Sequence, residues 1–126
     1  MKNPGIQATF ENRILTVKFH GNALIDAEDL EEVYGFADRF SNGKPYGVLF
    51  IANSHYEVTD EALEYMTRNP HNKNVLAKAY VVNAQELKTK VKLPLTFDKH
   101  RLQAFTFSDR NEAQSWLNKA IEESGQ

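Results

Sequence analysis

The chain has 126 residues, of which 41% are hydrophobic and 25% are charged, and its formal net charge is -2. A chain of this length fits one domain with a sizeable core, and so small a net charge does not indicate nucleic acid or an anionic membrane as an obligatory partner. The absence of cysteine excludes disulfides, thiolate metal sites and a cysteine nucleophile.

The N-terminal sequence, MKNPGIQATF, lacks the apolar core of a signal peptide, and no apolar run reaches membrane-spanning length. We therefore expect a soluble, cytoplasmic protein without membrane insertion. The first 66 residues carry eleven acidic and five basic side chains, whereas the remainder carries six acidic and ten basic ones. This division would suit self-association or a charged partner, but a solvated surface with its charges spread around it is the preferred interpretation, because halves of a sequence rarely correspond to faces of a fold.

The chain opens with the pattern of an antiparallel hairpin. Ile6, Ala8 and Phe10 alternate with polar residues, which is the period of a half-buried strand. Asn12 suits the positive φ angle of a turn, and residues 14–19 return as a second strand.

The next segment predicts an amphipathic helix over residues 27–40. Asp26 and Asp29 have the spacing of a capping pair, and apolar residues follow at helical spacing up to Phe40. Ser41-Asn42-Gly43 and Pro45 end the helix. Its acidic residues fit a solvated outer face; they are Glu28, Asp29, Glu31 and Glu32.

Residues 46–66 form the predicted structural centre. Residues 48–52 are apolar on both faces, which is typical of a central strand covered by helices on both sides. Residues 53–57 read as a polar loop. Thr59 then caps a second helix, with Asp60 and Glu61 in its first turn.

Strands are predicted at residues 76–82 and 102–107, with a short helix between them that begins at Asn83. A last helix begins at Ser108 or Asp109, with Trp116 in its apolar stripe. The order β-β-α-β-α-β-α-β-α predicts the α/β class. We expect one domain over residues 1–126, with a mixed, mostly parallel sheet that an antiparallel hairpin opens and on which helices pack.

No residue pattern points to catalysis or to a cofactor. The four histidines lack the spacing of a zinc pair, and Ser54 next to His55 does not make a triad. The glycine loops that bind phosphate are absent. We therefore predict a protein that is not an enzyme, with no metal, no cofactor and no nucleic-acid partner.

Three passages resemble the STAS family, the domains similar to sporulation anti-sigma-factor antagonists (SpoIIAA-like), and especially their uncharacterised bacterial relatives of STAS/CRAL-TRIO fold. They are the strand, loop and helix start in residues 48–66, the strand in residues 76–82, and the ending. In the ending, Phe105-Thr106-Phe107 precedes Glu112-Ala113 and Trp116-Leu117. The resemblance covers nearly the whole chain and implies a SpoIIAA-like fold.

In STAS regulators, the start of the second helix carries an Asp-Ser-Ser-Gly motif whose second serine is phosphorylated by a partner kinase. On that pattern, Glu61 stands at the phosphoserine and Ala62 at the glycine. Because Glu61 cannot be phosphorylated, the resemblance implies a constitutive surface for a protein partner or a second copy. The predicted partner-binding residues are Asn53, Ser54, Thr59, Asp60 and Glu61.

The CRAL-TRIO side of the resemblance implies an alternative function, the carriage or sensing of a small apolar ligand between sheet and helices. Five aromatic side chains could line such a space: Phe36, Phe40, Tyr80, Phe97 and Phe105. An ordinary packed core explains the same residues.

Overall fold

A computed structural model describes residues 3–52, 56–67, 74–82 and 103–123. In chain order the elements of this part are β1 (Ile6–Glu11), β2 (Ile14–Phe19), β3 (Ala23–Ile25), α1 (Ala27–Ser41), β4 (Tyr46–Ala52), β5 (Tyr56–Val58), α2 (Asp60–Thr67), β6 (Val75–Val82), β7 (Gln103–Phe107) and α3 (Arg110–Glu123). The helix predicted to begin at Asn83 lies outside the described residues.

The main sheet has five strands in the order β1-β2-β4-β6-β7. β1 and β2 are antiparallel, and the other neighbours are parallel. The predicted fold class, a mixed and mostly parallel sheet opened by a hairpin, is confirmed. Two short strands, β3 and β5, form a separate parallel ladder that the sequence did not predict.

A two-residue turn closes the hairpin. Both turn residues have positive φ angles, 53° at Asn12 and 64° at Arg13. This is the geometry of a type I′ turn, whose twist matches that of the flanking strands. The side chain of Arg13 donates to the carbonyl oxygen of Pro45 from Nε at 3.1 Å and from Nη2 at 2.6 Å, which ties the turn to the start of β4.

β4 divides the core into two layers, because every one of its seven residues is buried. Val48 and Phe50 face a cluster that includes Leu30 and Val33 of α1. The alternate residues of β4 face α3, whose buried residues are Ala113, Leu117 and Ile121. The central strand is thus covered by helices on both sides, as its uninterrupted apolar sequence predicted.

Gly47 sets how closely α3 approaches the sheet. A Cβ atom at this position would lie 3.1 Å from Cδ2 of Leu117 and 3.5 Å from Cδ1 of Ile121. Gly35 in α1 differs, because no heavy atom lies within 4 Å of the Cβ that a substitution would add there.

Two tyrosines join α1 to its neighbours. The hydroxyl of Tyr46 donates to Oδ1 of Asp38 at 3.5 Å, and burial together with this carboxylate raises the pKa of Tyr46 well above its usual range. The ring of Tyr65 in α2 stacks on Tyr34 with 6.1 Å between centroids. Burial, followed by the charges of Glu31 and Asp38, raises the pKa of Tyr65 to about 12.

The two glycines form a matched pair for a packing test. We expect Gly47→Val to lower the free energy of unfolding by about 1–3 kcal/mol, since the larger side chain overpacks the contact with α3. We expect Gly35→Ala to raise it by about 0.5–1 kcal/mol, since alanine favours the helix and meets no obstacle. Urea unfolding followed by circular dichroism measures both. Unchanged stability of Gly47→Val would contradict the close packing of α3.

The raised tyrosine pKa values predict a loss of stability at alkaline pH. The unfolded chain releases its tyrosine protons near pH 10, whereas the folded chain keeps those of Tyr46 and Tyr65 to higher pH. The folded state then binds more protons, so its stability falls as the pH rises from about 10 to 12. Tyr65→Phe should show a smaller loss of stability than the wild type between pH 8 and pH 11, measured by urea unfolding. An identical loss in both proteins would show that Tyr65 does not contribute.

Candidate functional site

The ladder of β3 and β5 brings two helix starts together. Leu24 lies opposite Glu57 and Ile25 lies opposite Val58, and the N–H of Thr59 donates to the carbonyl oxygen of Ile25 at 2.9 Å. Each strand runs into a helix almost at once, β3 into α1 and β5 into α2. Because the strands are parallel, both helices begin at the same end of the protein.

The start of α1 is held by reciprocal hydrogen bonds. Oδ1 of Asp26 accepts from the N–H of Asp29 at 2.9 Å, and Oδ2 of Asp29 accepts from the N–H of Asp26 at 3.0 Å, which completes the predicted capping pair. Nδ2 of Asn3 donates to Oδ2 of Asp29 at 2.9 Å and to the carbonyl oxygen of Leu24 at 2.8 Å.

This arrangement corrects one prediction about the acidic face of α1. Asp29 is only 9% exposed, whereas Glu28 and Glu31 are exposed and Glu32 is half-buried. Asp29 is withdrawn from solvent because it bonds both to the backbone of Asp26 and to Asn3. Its carboxylate therefore stabilises the helix start, and the solvated acidic face is made by its neighbours.

The start of α2 presents the predicted partner-binding residues that the structure describes. Oγ1 of Thr59 accepts from the N–H of Ala62 at 3.1 Å, so the threonine caps the helix as predicted. Asp60 and Glu61 occupy the first turn and are exposed. Thr59, Asp60 and Glu61 thus lie together, while Asn53 and Ser54 lie outside the described residues.

The predicted polar loop over residues 53–57 is wrong at its end. Tyr56 and Glu57 belong to β5, since the backbone there pairs with β3. The pairing explains why Glu57 is held beside Leu24 at the surface.

The two helix starts and the ladder form one surface, which we call the acidic end. Its exposed residues are Leu24, Asp26, Glu28, Glu57, Asp60 and Glu61. Leu24 is 56% exposed among these carboxylates, at the border of an open depression of about 540 Å³. The sequence predicted the α2 half of this surface and missed the α1 half. The signal for the missing half was a pair of short triplets, the apolar Ala23-Leu24-Ile25 and the mixed Tyr56-Glu57-Val58, each just before a helix cap.

The acidic end offers negative charge and one exposed apolar side chain, Leu24. The carboxylates of Asp60 and Glu61 already occupy the positive end of the α2 dipole, so a further anion would be repelled. Across the described part of the chain, no three His, Asp or Glu side chains converge to hold a metal ion. None of the described helices is long and apolar enough to cross a membrane.

The residues named for an apolar ligand have different surroundings. Tyr80 is buried and stacks on Phe50 with 5.1 Å between ring centroids. Phe36 is half-buried and contacts Phe40, which is 60% exposed. Phe97 and the side chain of Phe105 lie outside what the structure describes. Carriage of an apolar ligand stays a prediction.

The cap at Thr59 provides a test of whether this hydroxyl has a structural role. We expect Thr59→Ala to lower the free energy of unfolding by about 1 kcal/mol, because the N–H of Ala62 loses its acceptor. Thr59→Ser is the matched control and should stay within a few tenths of a kcal/mol of the wild type, since serine also caps helices. Urea unfolding measures both, and equal stability of the alanine and serine variants would argue against the cap.

Comparison with known proteins agrees with this architecture. A family described as a domain of unknown function, DUF7793, matches residues 8–121. No curated protein matches the chain. Among solved structures it is similar to an uncharacterised protein of the DUF3478 family with a SpoIIAA-like fold from Shewanella loihica PV-4. The two share 18% identity over 89% of this chain and 91% of that chain, with a TM-score of 0.59. The chain belongs to the DUF7793 family and has a SpoIIAA-like, STAS-like fold.

Proposed function

We propose that the protein is a non-enzymatic, cytoplasmic STAS-like module that binds a protein partner through the acidic end, with Thr59, Asp60 and Glu61 at the centre of the contact. The observation that carries the proposal is the parallel pairing of β3 with β5. It gathers carboxylates from two helix starts around the exposed Leu24 on one surface. An apolar side chain bordered by charges is the composition of a protein contact.

The charge of the acidic end favours a basic partner surface over self-association. Two acidic ends would place like charges opposite one another, which costs binding energy. A partner with lysine or arginine residues would instead be attracted before contact, and the attraction would weaken as salt is added.

Glu61 makes the surface constitutive. Its side chain is exposed in the first turn of α2. The resemblance to STAS regulators implies that this position corresponds to their phosphorylated serine. A carboxylate is ionised at neutral pH without a kinase, although its single charge is smaller than that of a phosphate group. The proposed binding therefore needs no phosphorylation.

The proposal is tested by partner recovery from a lysate of the native host. We expect Asp60→Lys combined with Glu61→Lys to lose the partner that the wild type recovers, because the charge at the centre of the contact is reversed. The matched control is Glu122→Lys combined with Glu123→Lys, which makes the same change in net charge on exposed residues near the end of α3.

The comparison of the two double variants separates a local contact from an effect of overall charge. The control should recover the partner as the wild type does, and circular dichroism should show that both variants are folded. Equal recovery by all three proteins would contradict the proposed surface.

A further inference from the structure

The outer edge of β1 is an edge of the sheet that the described strands form, and some of its backbone groups point away from β2. β1 is the first strand in the order of the main sheet, and no described strand lies beyond it. A two-residue turn makes Glu11 and Ile14 a hydrogen-bonded pair, and such pairs alternate along an antiparallel ladder. Gln7 and Thr9 therefore also direct their backbone groups towards β2.

The hydrogen bond beyond the ladder confirms this alternation. The N–H of His20 donates to the carbonyl oxygen of Gly5 at 2.7 Å, two residues before Gln7. The backbone groups of Ile6, Ala8 and Phe10 consequently face outward. The N–H of Ile6 already donates to the carbonyl oxygen of Asn3 at 3.1 Å, so the outward N–H groups left for pairing among the described residues are those of Ala8 and Phe10, beside the outward carbonyl groups of Ile6, Ala8 and Phe10.

β1 lacks the features that usually protect an edge strand. Proteins block such edges with proline, lysine or a bulge. The sequence of β1, IQATFE, contains no proline or lysine, and its six residues pair with β2 without a bulge. Its one charged residue, Glu11, stands at the turn. The edge is therefore competent to pair with another strand.

We propose that β1 pairs with β1 of a second copy of this chain, antiparallel and about a two-fold axis at Thr9. In this register Ala8 lies opposite Phe10 of the second copy, and the two symmetric pairs use both open N–H groups of each chain, with the carbonyl groups of the same residues, in four hydrogen bonds. A shift to an axis at Ala8 would place Phe10 of the second copy opposite Ile6, whose N–H is already bonded, so the carbonyl oxygen of Phe10 would lack its donor. In the register at Thr9, by contrast, the N–H and C=O groups of Ala8 and Phe10 all have partners.

The side chains of β1 suit this self-pairing. Thr9 lies opposite Thr9 of the second copy, a favourable cross-strand pair, and Gln7 lies opposite Glu11. No like charges face one another. All three residues are exposed in the single chain, so pairing covers surface that is otherwise in water.

The charges of α1 also favour a second copy in this orientation. An open groove of about 360 Å³ runs beside β1, and Glu32, Phe36 and Arg39 of α1 form one wall. A two-fold axis places the two α1 helices antiparallel, so the half with Glu32 lies beside the half with Arg39. Two other carboxylates of the helix, Glu31 and Asp38, act on Tyr65 of α2 and so lie on its α2 side.

This interface is a different surface from the acidic end and does not depend on the proposed function. It joins the five described strands of each copy into one continuous sheet. Such an interface is isologous, with the same strand contributed by both copies.

Charge substitutions at Thr9 test the position of the two-fold axis directly, because a residue on the axis faces the same residue of the second copy. We expect Thr9→Lys and Thr9→Glu each to raise the dissociation constant of the dimer by about tenfold or more, through repulsion of like charges. An equimolar mixture of the two variants should restore the dimer, since lysine then faces glutamate. Sedimentation velocity over the micromolar range measures the association. Asn118→Lys, a charge added on the exposed face of α3, is the control and should dimerise as the wild type does.

Three results would overturn the proposal. One is a wild-type protein that stays monomeric. The edge of β1 would then not pair with a second copy, and only an extended segment of a different protein could pair with it. Another is a dimer that persists in both Thr9 variants, which would place the interface elsewhere. The third is a mixture that stays monomeric although each variant is folded by circular dichroism, because Thr9 would then not face itself.

Discussion

The complete burial of β4 is the constraint on which the rest of the structure depends. Seven consecutive residues, Tyr46–Ala52, are withdrawn from water, so neither face of the strand can be left open. A parallel strand of this kind needs a helix layer on each side. α1 supplies one layer through Leu30 and Val33, and α3 supplies the other through Leu117. Gly47 lets α3 approach where a side chain would hold it away.

The exit from β4 determines where the proposed binding surface, the acidic end, lies. After β4 the chain pairs β5 with β3, and the hydrogen bond from Thr59 to Ile25 fixes the start of α2 beside the start of α1. The two helix dipoles therefore point their positive ends at one surface, and the carboxylates found there are stabilised by them. The same charges that cap the helices give the acidic end its character. Fold stability and the proposed recognition thus share residues.

The sequence predicted those features that local pattern decides. Alternation identified the hairpin, helical spacing and Asp26 identified α1, and the continuous apolar run identified β4. It failed where pairing is remote in sequence. β3 has three residues, too few for a period, and it exists because β5, more than thirty positions later, lies beside it. The burial of Asp29 was missed for the same reason, since its partner Asn3 is 26 positions away.

The residues of the candidate site show the same difference between local signals and contacts that are remote in sequence. Thr59, Asp60 and Glu61 were found because a helix cap and its acidic first turn are local signals. Leu24 and Glu28 were missed because only the parallel ladder brings them beside α2.

Asp60 and Glu61 have a structural role and a proposed binding role, and the energies of the two differ in scale. As carboxylates in a first helical turn they stabilise the helix by about 0.3–1 kcal/mol each. A domain of this size has a free energy of unfolding of about 5–15 kcal/mol, so reversing both charges leaves it folded. Binding is more sensitive, because 1.4 kcal/mol changes a dissociation constant tenfold. A residue that contributes little to the fold can therefore decide whether the partner is held.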